Sequence, residues 1–327
     1  MKSNTSKLAE LIRVAEMYYV FGMSQEDIAR EISISRSMVS RMLDKARREG
    51  LVEIRIANPF AYQEFLGHEI SGKYNIKEAV VISSNGNERN LAKLVGIGAA
   101  KYIEDNVLPG ARAVGVGWGE TLYEMIAALG KCGPFTIEVV PLIGGMDGLT
   151  PDHQVNSLCR RFAEAVGGKN YILHAPALVS SPEVKEGLCE SNDMKMIMEK
   201  WQCLDTAIVE IYPLSASLPA LPMHCFDENQ VLRLMKAKTV GDVCCNFFDA
   251  SGRESYGEIA PRRIGIDFDS LKRIPSVVAV AVGEGRAEAV AGALRAGLVD
   301  VLIVDEVLAR AIVSGPKVAE RGRAKEA

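Results

Sequence analysis

The chain has 327 residues, of which 48% are hydrophobic and 24% are charged, and its formal net charge is −4. This length suits two domains better than one, and the proportions of hydrophobic and charged residues are those of an ordinary globular protein. The sequence holds no run of about 18 apolar residues, which excludes a membrane span, and its N-terminus lacks the apolar core of a secretory signal. We therefore expect a cytoplasmic protein with no membrane partner.

Cysteine and histidine spacing tells against both a disulfide framework and a metal site. The seven cysteines are an odd number without a CxxC pair, and the four histidines are scattered. We expect buried thiols, with Cys244 and Cys245 on opposite faces of a strand, no metal ion and no cofactor. Cys159 is followed by Arg160 and Arg161, which leaves a redox-responsive regulator open as an alternative.

Positive charge is concentrated near the N-terminus. Residues 1–57 hold ten basic and eight acidic side chains, whereas residues 58–327 hold 28 basic and 34 acidic ones. Between Arg30 and Arg48, six basic residues stand against two acidic ones. A basic patch on an acidic body is typical of a nucleic-acid contact confined to one end, although a solvated helix face produces the same pattern.

The first 50 residues predict three helices. Ser24 is placed to cap the second helix, and Ser35 to cap a third that reaches about Glu49. Residues 51–56, LVEIRI, then alternate as a strand does. The apolar face predicted for the first helix, residues 7–21, consists of Leu8, Leu11, Ile12, Ala15, Tyr18 and Tyr19.

Two short helices joined by a few residues form a helix-turn-helix, whose second helix fits the major groove of DNA. Arginine there can donate two parallel hydrogen bonds to guanine, and serine suits either a base or a phosphate. Basic residues further along this helix suit phosphates, which set position but carry no sequence information. The predicted DNA contacts are Gln25, Ser35, Arg36, Ser37, Ser40, Arg41, Lys45, Arg47 and Arg48.

The stretch RVAEMYYVFGMSQEDIAREISISRSMVSRMLDKARREGLVEIRI resembles the N-terminal module of the SorC family of sugar-responsive bacterial transcription regulators. The elements YY, SQxxIA and SRxxVSRxL, together with the basic helix after them, carry the resemblance. It implies a winged-helix-like, all-α helix-turn-helix domain in residues 1–57.

Beyond the segment 57–63, ANPFAYQ, where we place the domain boundary, strand-like and helical segments alternate. The strand-like segments are 78–83, 112–117, 137–143, 206–211, 276–283 and 300–305. This alternation predicts an α/β domain in residues 58–327, with a mainly parallel sheet covered by helices.

Ligands of such sheets bind beyond the carboxyl ends of the strands, where loops meet helix N-termini. Four loops qualify: 114–129, 141–157, 239–252 and 281–294. The glycines of the first suit an anion at a helix N-terminus, but packing explains them equally well, and they form no nucleotide-binding motif. The candidate effector-binding residues are Gly117, Trp118, Gly119, Glu120, Thr121, Gly144, Gln154, Asn156, Asp242, Asp249 and Arg286, of which Asp249 is equally typical of a turn.

These four loops, in this order, also resemble the SorC-family effector domain, so the similarity covers nearly the whole chain. The resemblance implies a fold like that of sugar-phosphate isomerases and glucosamine-6-phosphate deaminase, a phosphorylated sugar or polyol as ligand, and usually a tetramer. It places Glu120 and Thr121 in a phosphate-cradling loop. It also makes Gln154 and Asp242 contacts of the ligand.

Departures from the family pattern leave phosphorylation of the effector open. Ile143 stands where some members have a phosphate-binding arginine, and Arg286 replaces a frequent lysine. Glu120 adds a negative charge that would repel a phosphate by a few kcal/mol at most. An anionic effector and an uncharged one both remain possible on the sequence alone.

The sequence thus favours a cytoplasmic repressor of a sugar or polyol catabolic operon. Its partners would be double-stranded operator DNA, a sugar, sugar phosphate or polyol, and further copies of itself in a dimer or tetramer held by residues 58–327. The other alternative is a sugar-phosphate isomerase or deaminase with Asp242, Asp249 or Glu120 as base. No histidine, carboxylate and nucleophile recur together near the four loops, so we expect no enzymatic activity.

Overall fold

The chain divides into two units, Met1–Ile56 and Ala57–Ala327, which are described separately. The computed structural model describes residues 4–52, 54, 62–84, 90–133, 135–214, 228–255 and 259–315. The boundary segment 57–63 is described only at its last two residues. Of the predicted strand at 51–56, only Leu51, Val52 and Ile54 are described, and these three are not in a strand.

The N-terminal unit contains the helices α1 (Asn4–Tyr19), α2 (Gln25–Glu31) and α3 (Arg36–Arg48). The two predicted caps are confirmed, because the hydroxyls of Ser24 and Ser35 accept from the backbone N–H groups of Asp27 and Met38. Each cap satisfies a helix donor that would otherwise have no partner. Ser33, at a φ of 55°, turns the chain from α2 into α3.

The core of this unit differs from the predicted face of α1. It consists of Val14, Ala15, Met17, Ile28, Ala29, Val39, Leu43 and Ala46. Leu8 and Ile12 are 40% exposed and Tyr19 is 38% exposed, so the prediction was wrong for these three residues. Apolar residues surround most of α1, and only the side carrying Val14 and Met17 packs against α2 and α3.

A seven-stranded sheet forms the centre of the C-terminal unit. Its strands are β1 (Glu78–Ile82), β2 (Ala113–Val116), β3 (Glu138–Pro141), β4 (Lys169–Asn170), β5 (Thr206–Glu210), β9 (Ser276–Ala281) and β10 (Val301–Asp305). All neighbouring strands pair in parallel, and their side chains are almost all buried, as expected for a sheet covered on both faces. The six predicted strands are confirmed, and only the two-residue β4 was not predicted.

The strand order is β1-β10-β9-β5-β2-β3-β4. From β2 the chain proceeds outward through β3 to β4, and from β5 it proceeds in the opposite direction through β9 to β10. The loops after β2 and β5 therefore diverge and leave a crevice between them. Such a reversal of strand order is where doubly wound sheets bind their ligands.

Helices lie along the chain before, between and after these strands. They are α4 (Glu64–Tyr74), α5 (Leu91–Tyr102), α6 (Glu120–Ala128), α7 (Val155–Val166), α8 (Pro182–Cys189), α9 (Asn192–Gln202), α10 (Glu228–Lys236), α11 (Phe268–Lys272), α12 (Ala287–Arg295) and α13 (Glu306–Ser314). Within the described ranges, none of the chain's helices combines the length and the apolar character needed to span a bilayer.

A second, antiparallel sheet follows directly on β5. Its strands are β6 (Tyr212–Pro213), β7 (Thr239–Val243) and β8 (Asn246–Asp249). Cys244 and Cys245, at φ of 50° and 55°, form the tight turn of the β7–β8 hairpin, a backbone geometry that suits the twist of the strands. Our prediction of a strand for these two cysteines was wrong, although both are buried as expected.

Candidate functional site

Helix α3 presents a basic, polar face opposite its buried side. Val39, Leu43 and Ala46 are buried at helical spacing, which turns the intervening positions outward. Of the predicted DNA contacts on this helix, Ser40 is half-buried and the rest, Arg36, Ser37, Arg41, Lys45, Arg47 and Arg48, are exposed. The structure therefore leaves the guanidinium groups of α3 at the surface.

Several cations of this face pair with neighbouring carboxylates. Arg36 lies 3.7 Å from Glu26, and the Arg47 guanidinium lies 2.5 Å from Asp44. Arg41 and Arg48 form no ion pair within the described part of the chain. Exposed pairs of this kind contribute at most about 1 kcal/mol, so a phosphate or a base edge can replace the carboxylate.

Two predicted contacts lie at helix starts. The Ser35 hydroxyl accepts the capping bond from Met38 and lies 3.0 Å from the Ser37 hydroxyl. Gln25 is the first residue of α2 and is half-buried. Ser35 therefore holds the start of α3 in shape, while Ser37 remains exposed beside it.

In the C-terminal unit, the loop from β2 into α6 meets the end of β5 at the crevice between the diverging loops. Glycines 117 and 119 flank the buried Trp118, and Gly119, at a φ of 153°, precedes the first residue of α6. A Cβ on Gly119 would collide with the carboxylate of Glu210 and stand 2.7 Å from the Tyr212 hydroxyl. Glycine suits this position because the buried Glu210 and Tyr212 side chains leave no room for a Cβ.

Glu210, the last residue of β5, was not predicted and lies at the centre of this cluster. Its Oε2 accepts from the backbone N–H of Thr121 at 2.9 Å, and its Oε1 accepts from the Thr121 hydroxyl at 3.1 Å. Arg286 Nη1 donates to Oε1 at 2.6 Å and to the backbone oxygen of Ile211 at 3.0 Å. The predicted anion-binding groups of two loops thus converge on one carboxylate of the chain itself.

Burial makes this ion pair strong. The Glu210 side chain is fully buried and that of Arg286 is 17% exposed. Burial alone would lower the pKa of Arg286, but the charge and hydrogen bond of Glu210, together with Tyr212 and Glu120, outweigh it and raise that pKa. Arg286 also lies over the Tyr212 ring, with its guanidinium carbon 4.8 Å from the ring centroid.

Trp118 and Tyr212 form an aromatic wall beside the pair. Their rings stack at 4.8 Å, and both residues are 3% exposed. Neither the Trp118 Nε1–H nor the Tyr212 O–H has an acceptor among the described residues, and the Tyr212 oxygen lies close to the backbone N–H of Glu120. Burial, and then the charge of Glu210, raise the pKa of Tyr212 well above its usual range, so this hydroxyl keeps its proton.

Asp242 lies opposite Tyr212 in the β6–β7 pairing, so both side chains lie on the same face of the small sheet. It is 2% exposed and accepts from the backbone N–H of Cys245 at 2.9 Å. Burial raises its pKa to about 7, against the opposing effects of the Cys245 N–H, Arg263 and Arg286. Near neutral pH this carboxyl is thus poised to donate or to accept.

Replacing Asp242 with asparagine should make the C-terminal unit less sensitive to rising pH. The folded protein holds the Asp242 proton up to about pH 7, while the unfolded chain releases it near pH 3.8. The free energy of unfolding of wild type therefore decreases as the pH rises from 3.8 to 7. The amide keeps an acceptor for Cys245 and never ionises. The free energy of unfolding of the variant, relative to that of wild type, should be roughly 2–4 kcal/mol higher at pH 8 than at pH 5. Thermal unfolding at the two pH values measures this difference.

Asp249→Asn serves as the control, because its difference in stability from wild type should stay constant between pH 5 and pH 8. Bonds from the Ser251 hydroxyl first, and then from the Arg253 and Ser251 backbone, lower the pKa of Asp249 to about 2. Its contribution is present above the unfolded value of 3.8 and is lost as the pH falls towards 2. An Asp242→Asn advantage that stays constant from pH 5 to pH 8 would contradict the assignment of a protonated Asp242.

The remaining predicted effector residues are engaged in local structure. The Gln154 amide bonds to both backbone groups of Met146, and the Asn156 amide bonds to both backbone groups of Leu173. A Cβ on Gly144 would stand 2.5 Å from the backbone of Pro176, so this glycine allows two backbones to touch. Asp249 closes the turn after β8, and Glu120, the first residue of α6, is exposed.

The cysteines give no support to redox sensing. All six described cysteines are free, but the prediction of buried thiols was wrong for Cys203, which is exposed, and Cys132 and Cys189 are only half-buried. Burial raises the pKa of Cys159 far above its usual range, and Arg160 and Arg161 bind Glu164 and Asp152 instead of the thiol. Cys225 lies outside the described residues. Within the described ranges, no group of three or more His, Cys, Asp or Glu residues is arranged to hold a metal ion.

Comparison with known proteins covers both units. Residues 59–314 match the family model described as "Putative sugar-binding domain", and residues 22–52 match "Bacterial regulatory proteins, crp family". The chain is 30% identical over 304 residues to the deoxyribonucleoside regulator of Bacillus subtilis, an alignment that covers 93% of this chain and 96% of that protein.

The Klebsiella pneumoniae sorbitol operon regulator is 27% identical over 315 residues, which are 95% of this chain and 99% of that protein. The crystal structure of that full-length regulator, SorC, superposes with a TM-score of 0.71 at 26% identity and covers 94% of this chain and 99% of its own. The similarity therefore extends over both units and over nearly the whole length of these relatives.

Proposed function

The chain belongs to the SorC family of transcriptional regulators with a sugar-binding domain, and we propose that residues 1–57 bind operator DNA under the control of an effector bound by residues 58–327. The relatives are named as regulators and not as enzymes. These names give no support to the isomerase or deaminase alternative.

The exposed guanidinium groups of α3 carry the DNA part of the proposal. Arg36 and Arg41 lie in the first two turns, where a recognition helix reaches base edges. Lys45, Arg47 and Arg48 lie in the last turns and suit phosphates, while Ser37 and Gln25 suit either contact. Two copies of α3 in a dimer, or four in a tetramer, would read half-sites on successive turns of the duplex.

The buried polar cluster at the crevice carries the effector part. Six of the predicted residues lie together there with Glu210 and Tyr212. They are Gly117, Trp118, Gly119, Thr121, Asp242 and Arg286. Two unpartnered donors, an aromatic wall and a carboxyl form the set of groups that recognises a polyhydroxy compound. Effector binding would shift the population between DNA-competent and DNA-incompetent states of the oligomer, and release of a repressor is the direction we propose.

Footprinting of the purified full chain on the DNA upstream of its own gene tests this function. We expect a protected segment with two related half-sites. The logarithm of the binding constant should fall by about 0.9 per phosphate contacted for each tenfold rise in salt concentration. At least one compound from a set of sugars and polyols should remove the protection when it is added. The absence of any protected segment, with or without these compounds, would contradict the proposal.

A further inference from the structure

We propose that Glu210 is an internal anion that fills the phosphate position at the start of α6, so that this chain takes an uncharged sugar or polyol as its effector. The inference rests on the proposed function in one respect, because it places the effector at the crevice between β2 and β5. It goes further by assigning Glu210 a role in specificity and by excluding phosphorylated ligands.

The donors that surround Glu210 are those that a phosphate ester would need. The Thr121 N–H, the Thr121 hydroxyl and the Arg286 guanidinium together bond both carboxylate oxygens, at 2.6–3.1 Å. A backbone N–H at a helix N-terminus, a hydroxyl and an arginine fork form a typical phosphate cradle. In this chain a side chain of the protein already occupies that cradle.

Removal of the carboxylate by a ligand would be unfavourable. Glu210 is fully buried and ends a buried strand, so it has no solvated position to move to without leaving the sheet. A phosphate that displaced it would leave a buried, unpaired carboxylate, which is among the most destabilising defects in a folded protein. A phosphate that bound beside it would meet the same charge at close range.

Among the described residues, the charges around the cluster leave no surplus cation for a phosphate. Arg286 and Arg263 are the guanidinium groups that act on Asp242, and Arg286 is already paired with Glu210. Arg263 donates to the backbone oxygen of Cys245 and to the Asn246 side chain. Against these two cations stand Glu210, the exposed Glu120 and, above about pH 7, Asp242, and a phosphate monoester would add nearly two more negative charges.

The unpartnered groups beside the pair suit an uncharged ligand instead. The Trp118 Nε1–H is a donor, and the Tyr212 hydroxyl points to the backbone of Gly119 at the start of α6. Both residues are only 3% exposed, so neither group can turn to bulk water for a partner. Sugar hydroxyls both donate and accept, so they can satisfy these two groups and Asp242 without bringing in a charge.

The test compares wild type with Glu210→Ala, which empties the cradle and leaves Arg286 without a counter-ion. Inorganic phosphate is the first probe, with chloride at equal ionic strength as its control. Thermal unfolding is followed by tryptophan fluorescence, since both tryptophans, Trp118 and Trp201, belong to the C-terminal unit. We expect phosphate to leave the unfolding temperature of wild type unchanged. It should bind Glu210→Ala at least about tenfold more tightly than it binds wild type, as one added charge-assisted hydrogen bond would allow.

Two further variants keep the result interpretable. Glu210→Ala combined with Arg286→Met lacks the cation and should lose the phosphate response. Glu210→Gln keeps the volume and an acceptor for Thr121, so it should fold well and show a weaker response than Glu210→Ala. If Glu210→Ala unfolds in chloride, recovery of its folded state in phosphate, and not in the double variant, supports the same conclusion.

The second probe is a panel of ribose, fructose, glucitol and xylitol, each compared with its terminal phosphate monoester. Wild type should be stabilised only by uncharged members. A monoester that binds wild type more tightly than its parent sugar overturns the inference, and so does a Glu210→Ala variant that gains no affinity for phosphate. A full chain that fails to protect DNA contradicts the proposed function instead, and it leaves the phosphate result on Glu210→Ala unaffected.

Discussion

Replacing Arg286 with methionine is expected to lower the free energy of unfolding of the C-terminal unit by about 3–5 kcal/mol, the usual cost of leaving one member of a buried ion pair alone. Arg286 Nη1 donates to Glu210 and to Ile211, and its guanidinium lies over the Tyr212 ring. Methionine fills a similar volume but provides no donor. Urea unfolding followed by tryptophan fluorescence measures the change.

The double variant Glu210→Gln with Arg286→Met is the matched control. With both charges removed, the neutral amide still accepts from Thr121, so most of the lost stability should return. Lysine at 286 should lie between wild type and methionine, because it keeps the charge but not the planar fork. An Arg286→Met variant within about 1 kcal/mol of wild type would mean that the pair is not the buried interaction described.

The main sheet was predictable because its strands are buried on both faces. Continuous apolar runs such as 276–283 and 300–305 are too short for a typical buried helix and are rich in valine, which favours a strand, and the six predicted strands are present. The small sheet was less predictable. Cys244 and Cys245 adopt a left-handed backbone that is usual for glycine or asparagine, so the hairpin gave no ordinary turn signal.

The chemistry at the crevice could be predicted only in part. Strand ends can be read from a sequence, but the pairing of β5 with β2, which places Glu210 against Thr121, depends on strand order. One signal was available, because a glutamate at the end of the buried run TAIVE requires a partner. Gln154 and Asn156 showed the opposite error, since polar side chains near a strand end also serve to hold loops.

The N-terminal unit shows the same division between local and tertiary information. The caps at Ser24 and Ser35 depend on residues within one turn, and both were predicted correctly. The buried side of α1 depends on where α2 and α3 pack, and apolar residues around most of the helix left that side undetermined. Leu8, Ile12 and Tyr19 are consequently more exposed than expected.

Replacing Arg36 and Arg41 with alanine should remove sequence-selective DNA binding. A bidentate contact to guanine contributes about 1–3 kcal/mol, so the loss of two should weaken binding to the operator by roughly 30-fold to 10⁴-fold. Both side chains are exposed, and the ion pair between Arg36 and Glu26 spans 3.7 Å at the surface, so folding should change little. Fluorescence anisotropy with operator and scrambled duplexes at several salt concentrations measures the effect.

The alanine pair at Lys45 and Arg48 is the matched control, because it removes the same charge from the same helix. These two side chains lie in the last turns of α3, where phosphate contact is proposed. Their loss should weaken binding to both duplexes alike and reduce the salt slope by about 2, with the ratio between the duplexes unchanged. If the Arg36 and Arg41 variant also keeps that ratio, α3 does not read bases through these arginines, and the sequence selectivity must come from elsewhere.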